Sequence, residues 1–166
     1  MNIPTLILIL IINTIFQSSI LPYLSLFGYL PNTGLVIIVM VALRKGKYYG
    51  GFFALALGLI QDIFFGQVVG VNALILFFLG YGLGLIHEVL DIENMVIPIL
   101  SSVIGTIYYN YFYYVLMFFL SREIPREVML QKVFSIEILY NGILALLLYK
   151  LFSKIFVIPS LRFGKR

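Results

Sequence analysis

Residues 48–86, YYGGFFALALGLIQDIFFGQVVGVNALILFFLGYGLGLI, contain a single charged side chain, Asp62. The run is too long and too apolar for the core of a small globular domain. It suits two passes through hydrocarbon, each of which needs about 20 residues. A carboxylate at bilayer depth costs roughly 2.5–3.5 kcal/mol on insertion scales, so Asp62 needs shelter from other helices or from water. The stretch therefore predicts a protein that crosses a membrane several times and keeps a polar point in its interior.

Composition extends that expectation to the whole chain. Hydrophobic residues make up 62% and charged residues 11% of the 166 positions, and the mean hydropathy is +1.09. A soluble domain has about 45–50% apolar and about 25% charged residues. One transmembrane domain over residues 1–166 is expected, with no room for a large soluble one. The net charge of +4 is no nucleic-acid signature, because the basic residues sit in short clusters at helix ends. No cysteine is present, which excludes disulfides and thiolate metal sites. The single histidine, His87, adjoins Glu88 at a helix end, where a cation suits the helix dipole. The run Gly80-Tyr81-Gly82-Leu83-Gly84 lies inside an apolar helix rather than after a strand. No catalytic constellation is visible, and neither an enzyme nor a cofactor or metal site is expected.

Apolar periodicity and proline positions predict an all-α bundle of six helices at about 3–21, 31–46, 48–65, 68–90, 95–120 and 133–157. Met1 to Pro4 has no Lys or Arg, and no small-x-small cleavage pattern follows, so the first helix reads as a retained span. Pro22 ends it, and Pro31 suits the first turn of the second. The fully apolar part of that second helix, Thr33 to Leu43, covers only about 16 Å. Six spans place every basic residue except Arg122, Arg126 and Lys132 on one side. The positive-inside rule then puts both termini in the cytoplasm. The acidic loop Glu88, Asp91 and Glu93 falls on the same side.

At 1.5 Å per residue, Gln17, Asp62 and Asn110 lie about 21–22 Å from the basic side, and Asn72 and Glu137 roughly 6 Å below the opposite face. Asn13 and Asn141 extend the same faces toward the middle. Such a layer suggests a polar interior or a shallow cavity, although each amide alone could simply bond a neighbouring helix. Asp62 could equally serve the end of its own helix. Gly50, Ala54, Gly58 and Asp62 recur every four residues on one face, and Gly66 and Gly70 bracket the next turn. Small residues at this spacing let backbones approach closely, either within the chain, against a partner, or in a homodimer. The run Tyr108 to Tyr114 winds round its whole helix, so some rings must face protein.

The stretch Leu30 to Leu85 resembles the rod shape-determining protein MreD family. Leu30-Pro31-Asn32 opens an apolar helix that ends in a basic cluster. Gly50-Gly51-Phe52 and Gly58-Leu59-Ile60-Gln61-Asp62-Ile63 follow, then Gly66 and Val69-Gly70-Val71-Asn72-Ala73-Leu74, leading into Gly80-Tyr81. Tyr140-Asn141-Gly142, followed by Lys150, is similar to the family's C-terminal part. The resemblance implies a non-enzymatic membrane scaffold of the cell-elongation machinery that binds MreC. Through it, cytoplasmic MreB filaments would be coupled to a SEDS-type glycosyltransferase and a class B penicillin-binding protein. It also implies a fold similar to the substrate-binding subunits of energy-coupling-factor transporters, hence the alternative of a vitamin-binding subunit. Against that alternative, Asn2 to Leu21 contains no alanine for the Ala-x-x-x-Ala patch such subunits use.

Overall fold

The computed structural model describes residues 3–25, 29–87, 89, 94–120, 126–133 and 135–155. Glu88, Asp91, Glu93, Arg122, Arg162, Lys165 and Arg166 lie outside the described residues. The regular elements are α1 (Ile3–Ser19), a 3-10 turn (Leu21–Leu24), α2 (Thr33–Phe65), α3 (Val71–Leu85), α4 (Val96–Phe119), α5 (Arg126–Val133) and α6 (Glu137–Ile155). The described chain is thus all-α.

Gly46 breaks α2 with φ 79° and ψ −175°, a backbone state that glycine alone adopts without penalty. The chain reverses there. A methyl group on Gly50 would lie 2.6 Å from the Ala42 Cβ, and one on Gly34 would lie 2.8 Å from both Leu57 and Gln61. Those contacts require 33–45 and 47–65 to run antiparallel as two limbs of a hairpin. By length and composition α2 is the one helix among the described residues that could cross a membrane, with α1 and α3 shorter apolar helices. The reversal divides its length between two passes of the bundle.

The first limb is the axis of the molecule. Every residue from Thr33 to Leu43 is buried, packed against Leu6 of α1, Phe53 and Leu57 of the second limb, Leu76 of α3 and Ala145 of α6. A helix covered on all sides must be apolar on all sides, which explains the unbroken run; the reversal at Gly46 sets its length.

The second limb and α3 run antiparallel with their backbones touching. A Cβ on Gly58 would meet the Ala73 Cα at 2.5 Å, one on Gly80 would meet the Gly50 carbonyl at 2.5 Å, and Gly84 lies against the Lys47 backbone. Gly50, Ala54 and Gly58 are buried, so this face is used within the chain. Next in order, α4 runs antiparallel to α3, with Gly105 beside Leu79 and Tyr109 beside Asn72. Finally α6 runs antiparallel to α4 through Asn110 and Glu137 and through Thr106 and Asn141. Ile3 at the start of α1 shares a groove with Tyr48, and Tyr149 late in α6 lies within electrostatic reach of Arg44. Both described ends of the chain therefore lie at the Gly46 end of the bundle.

Some boundaries differ from the sequence expectation. α3 begins at Val71 rather than 68, because Gly70 at φ 103° ends a turn there. The short helix α5 precedes α6, and α6 starts at Glu137 rather than near 133.

Polarity is inverted relative to a soluble bundle. Leu8, Phe52, Ile63, Phe78, Ile104 and Leu139 are all more than half exposed, whereas Asp62, Ser102, Thr106 and Asn141 are at most 1% exposed. An exterior apolar on every long helix matches hydrocarbon rather than water.

The glycine contacts make a sharp test. Gly58→Ala should destabilise the fold by about 1–3 kcal/mol, because backbone atoms rather than flexible side chains occupy the space. Gly82, also helical, has nothing within 4 Å of where an added Cβ would stand, so Gly82→Ala should leave the thermal midpoint equal or higher. Melting both variants in the same mild detergent checks this.

Candidate functional site

The site is built on Asp62, on the last turn of the second limb. Its side chain is 1% exposed. Oδ2 accepts hydrogen bonds from the Gly70 N–H at 2.9 Å and the Ala73 N–H at 3.0 Å, and Oδ1 accepts one from the Asn72 N–H at 3.0 Å. These are first-turn donors of α3, which a helix cannot satisfy from within. The residue at the N-cap, Gly70, has left-handed backbone geometry and no side chain to offer. Asp62 supplies the missing cap from the preceding helix, and negative charge is favourable at that end of the helix dipole. The turn from Gly66 to Gly70 is tied at its other end by the Gly66 N–H donating to the Asp62 carbonyl at 3.0 Å.

Above this turn lies a cavity of about 440 Å³. Its walls come from the C-terminal ends of α1 and α2, the start of α2, the start of α3, the later half of α4 and the first residue of α6. Gln17, Gln61, Asn72, Asn110 and Glu137 line it together with Tyr109. The Gln61 Nε2 donates to Gln17 Oε1 at 3.2 Å, and Asn110 Nδ2 donates to Glu137 Oε2 at 3.3 Å. The Tyr109 hydroxyl donates to Asn72 Oδ1. Each link joins a different pair of helices, so the amides fix the relative positions of the walls.

Asn141 lies beneath the cavity and is fully buried. Its Oδ1 accepts from the Asn32 N–H at 2.8 Å, and its Nδ2 donates to Thr106 Oγ1 at 2.9 Å. Asn32 in turn caps α2, its Oδ1 accepting from the Leu35 N–H at 3.0 Å. One amide thus holds α6, α4 and the start of α2 in register.

Of the residues singled out from sequence, Gln17, Asn72, Asn110 and Glu137 come together round the cavity. Asn13 reaches it only through Gln17, at 3.5 Å. Gly66 lies on its rim, Gly70 supplies the turn, and Gly50, Ala54 and Gly58 lie in the seam with α3 and the first limb. Sequence reasoning did not single out Gln61, Asn32, Tyr109 or Tyr113 as lining residues. Gln61 stands out in hindsight as an amide beside Asp62 in an apolar helix. Nothing local separates Tyr109 and Tyr113 from the other rings of their run. No cluster of three or more potential metal ligands occurs among the described residues.

Removing the cap tests the role of Asp62. Asp62→Asn should cost about 1–3 kcal/mol, the usual consequence of leaving buried donors poorly satisfied, and Asp62→Leu should cost more. Hydrogen exchange should accelerate first at the amides of Gly70, Asn72 and Ala73, with protection of the first limb less affected.

No curated protein and no solved structure matches the chain. The family described as rod shape-determining protein MreD matches residues 1–156, which takes in every helix and every residue of the cavity. The chain belongs to the rod shape-determining protein MreD family, a family of membrane proteins with a role in determining rod shape.

Proposed function

We propose that this chain is a non-enzymatic scaffold in the bacterial inner membrane, crossing it six times with both termini in the cytoplasm. It binds MreC and helps to couple MreB filaments to a SEDS-type glycosyltransferase and a class B penicillin-binding protein. The match of residues 1–156 to the rod shape-determining family carries this reading. Orientation is supported by the basic residues Arg44, Lys45, Lys47 and Lys150 at the end of the bundle where α1 begins and α6 ends. The cavity then opens at the opposite, external face.

A surface for a partner helix is available. An apolar groove of about 510 Å³ runs between α1 and the second limb, lined by Leu6, Ile7, Leu10, Phe52 and Ala56. In lipid, close packing rather than the hydrophobic effect holds helices together, and a groove supplies contact on more than one side. The small-molecule reading, a vitamin-binding subunit with the fold of energy-coupling-factor substrate subunits, draws support from the cavity alone.

Affinity purification in mild detergent tests the scaffold reading, with MreC expected to co-purify. Asp62→Leu should lower MreC recovery by about tenfold, equivalent to about 1.4 kcal/mol, while Glu93→Gln should leave it unchanged. Equal recovery from the two variants counts against the assignment. Ala56→Trp, which fills the groove from its exposed side, should reduce recovery without lowering the melting midpoint.

A further inference from the structure

The cavity wall carries hydrogen-bonding capacity that the fold leaves unspent. Gln17 Oε1 accepts from both Gln61 and Asn13, yet its own Nε2 donates to nothing among the described residues. Gln61 spends its Nε2 there and leaves its Oε1 without a donor. Asn72 uses its Oδ1 for Tyr109 and leaves its Nδ2. None of these three atoms is a sealed, partnerless polar atom, and all three residues line the cavity. A space of about 440 Å³ lies within the range of roughly 300–1,000 Å³ typical of small-molecule sites.

The pattern of donors and acceptors selects among ligand chemistries. Glu137 is the one charged side chain among the described lining residues. A phosphate or carboxylate can only accept, so it would oppose Gln61 Oε1. An ammonium group can only donate, so it would oppose the free amide N–H groups of Gln17 and Asn72. A hydroxyl both donates and accepts, and a row of them satisfies the mixed wall. The rings of Phe65, Tyr113 and Tyr114 line the same space and provide flat apolar faces of the kind a sugar ring packs against.

We infer that the cavity binds a neutral, polyhydroxylated group, a saccharide or the sugar headgroup of a glycolipid. Pro22, Leu30 and Pro31, at one end of the bundle, also line the space; a headgroup held there would leave its acyl chains alongside the helices. This goes beyond the scaffold reading and does not depend on it.

Testing requires the full chain in phosphatidylcholine nanodiscs, without alkyl maltosides, which carry the same chemistry. Maltose binding is followed by saturation-transfer NMR, and a diglucosyl diacylglycerol mixed into the discs by native mass spectrometry. Saturable binding of maltose assigns the site to a free saccharide, and binding of the diglucosyl lipid alone assigns it to a glycolipid headgroup. Either result supports the inference if Gln17→Leu and Gln61→Leu each weaken binding by about tenfold, as loss of one good hydrogen bond implies. Ser18→Trp, at an exposed position on the rim, should block binding with an unchanged melting midpoint. The inference is overturned if neither sugar binds, if all three folded variants bind as well as the parent, or if phosphatidylglycerol displaces the sugar. Retained MreC capture by Gln17→Leu with lost sugar binding separates this site from the scaffold role.

Discussion

Three backbone N–H groups at the start of α3 converge on one buried carboxylate, and the arrangement of the bundle depends on that convergence. Without Asp62 the first turn of α3 would leave buried donors unsatisfied. With it, the second limb of α2 and α3 are tied across a turn of a few residues, at the level where the cavity begins. The cost of burying an acid is offset by hydrogen bonds in a geometry that Gly70, with its positive φ, favours. The same turn places Asn72 on the cavity wall, so cap and site share one piece of backbone.

Close packing completes what the cap begins. The contacts of Gly58 with Ala73, Gly80 with Gly50 and Gly84 with Lys47 leave no room for a side chain along the seam. Backbone contact at three levels resists sliding and rotation of the two helices, because any shift brings a larger residue into the seam. The first limb then fills the centre. It exchanges the usual lipid-facing surface for contact with α1, α3, α6 and the second limb. The result is a stiff frame, which suits a protein proposed to hold others in position.

Polar groups within the frame are ordered by depth. Asn141 and Thr106 are fully enclosed and join three helices, a structural use of amides in lipid. Nearer the end of the bundle Gln17, Gln61 and Asn72 pair less completely and border open space. A fully satisfied network rigidifies, whereas a partly satisfied one beside a cavity has capacity for a ligand. The two kinds of site lie only one helical turn apart on α6, at Asn141 and Glu137.

Much of this was legible in the chain. Apolar composition, the isolated Asp62, the four-residue glycine spacing and the basic clusters are local facts, and they specify a helical membrane protein with tight internal seams. The polar layer was visible because charges and amides are scarce in such helices. Less legible were the roles within it. Asn141 and Glu137 lie one turn apart on one helix, yet one is sealed into the frame and the other borders the cavity. Gln61 and Tyr109 join the site only because antiparallel packing brings the end of α2 and the middle of α4 beside Asn72. Periodicity and composition act through each helix's own geometry, so sequence alone determined the all-α class, the apolar faces and the close-packing glycine spacing. Which amides meet, and which remain open, depends on contacts between residues far apart in the chain, and those only the tertiary structure decided.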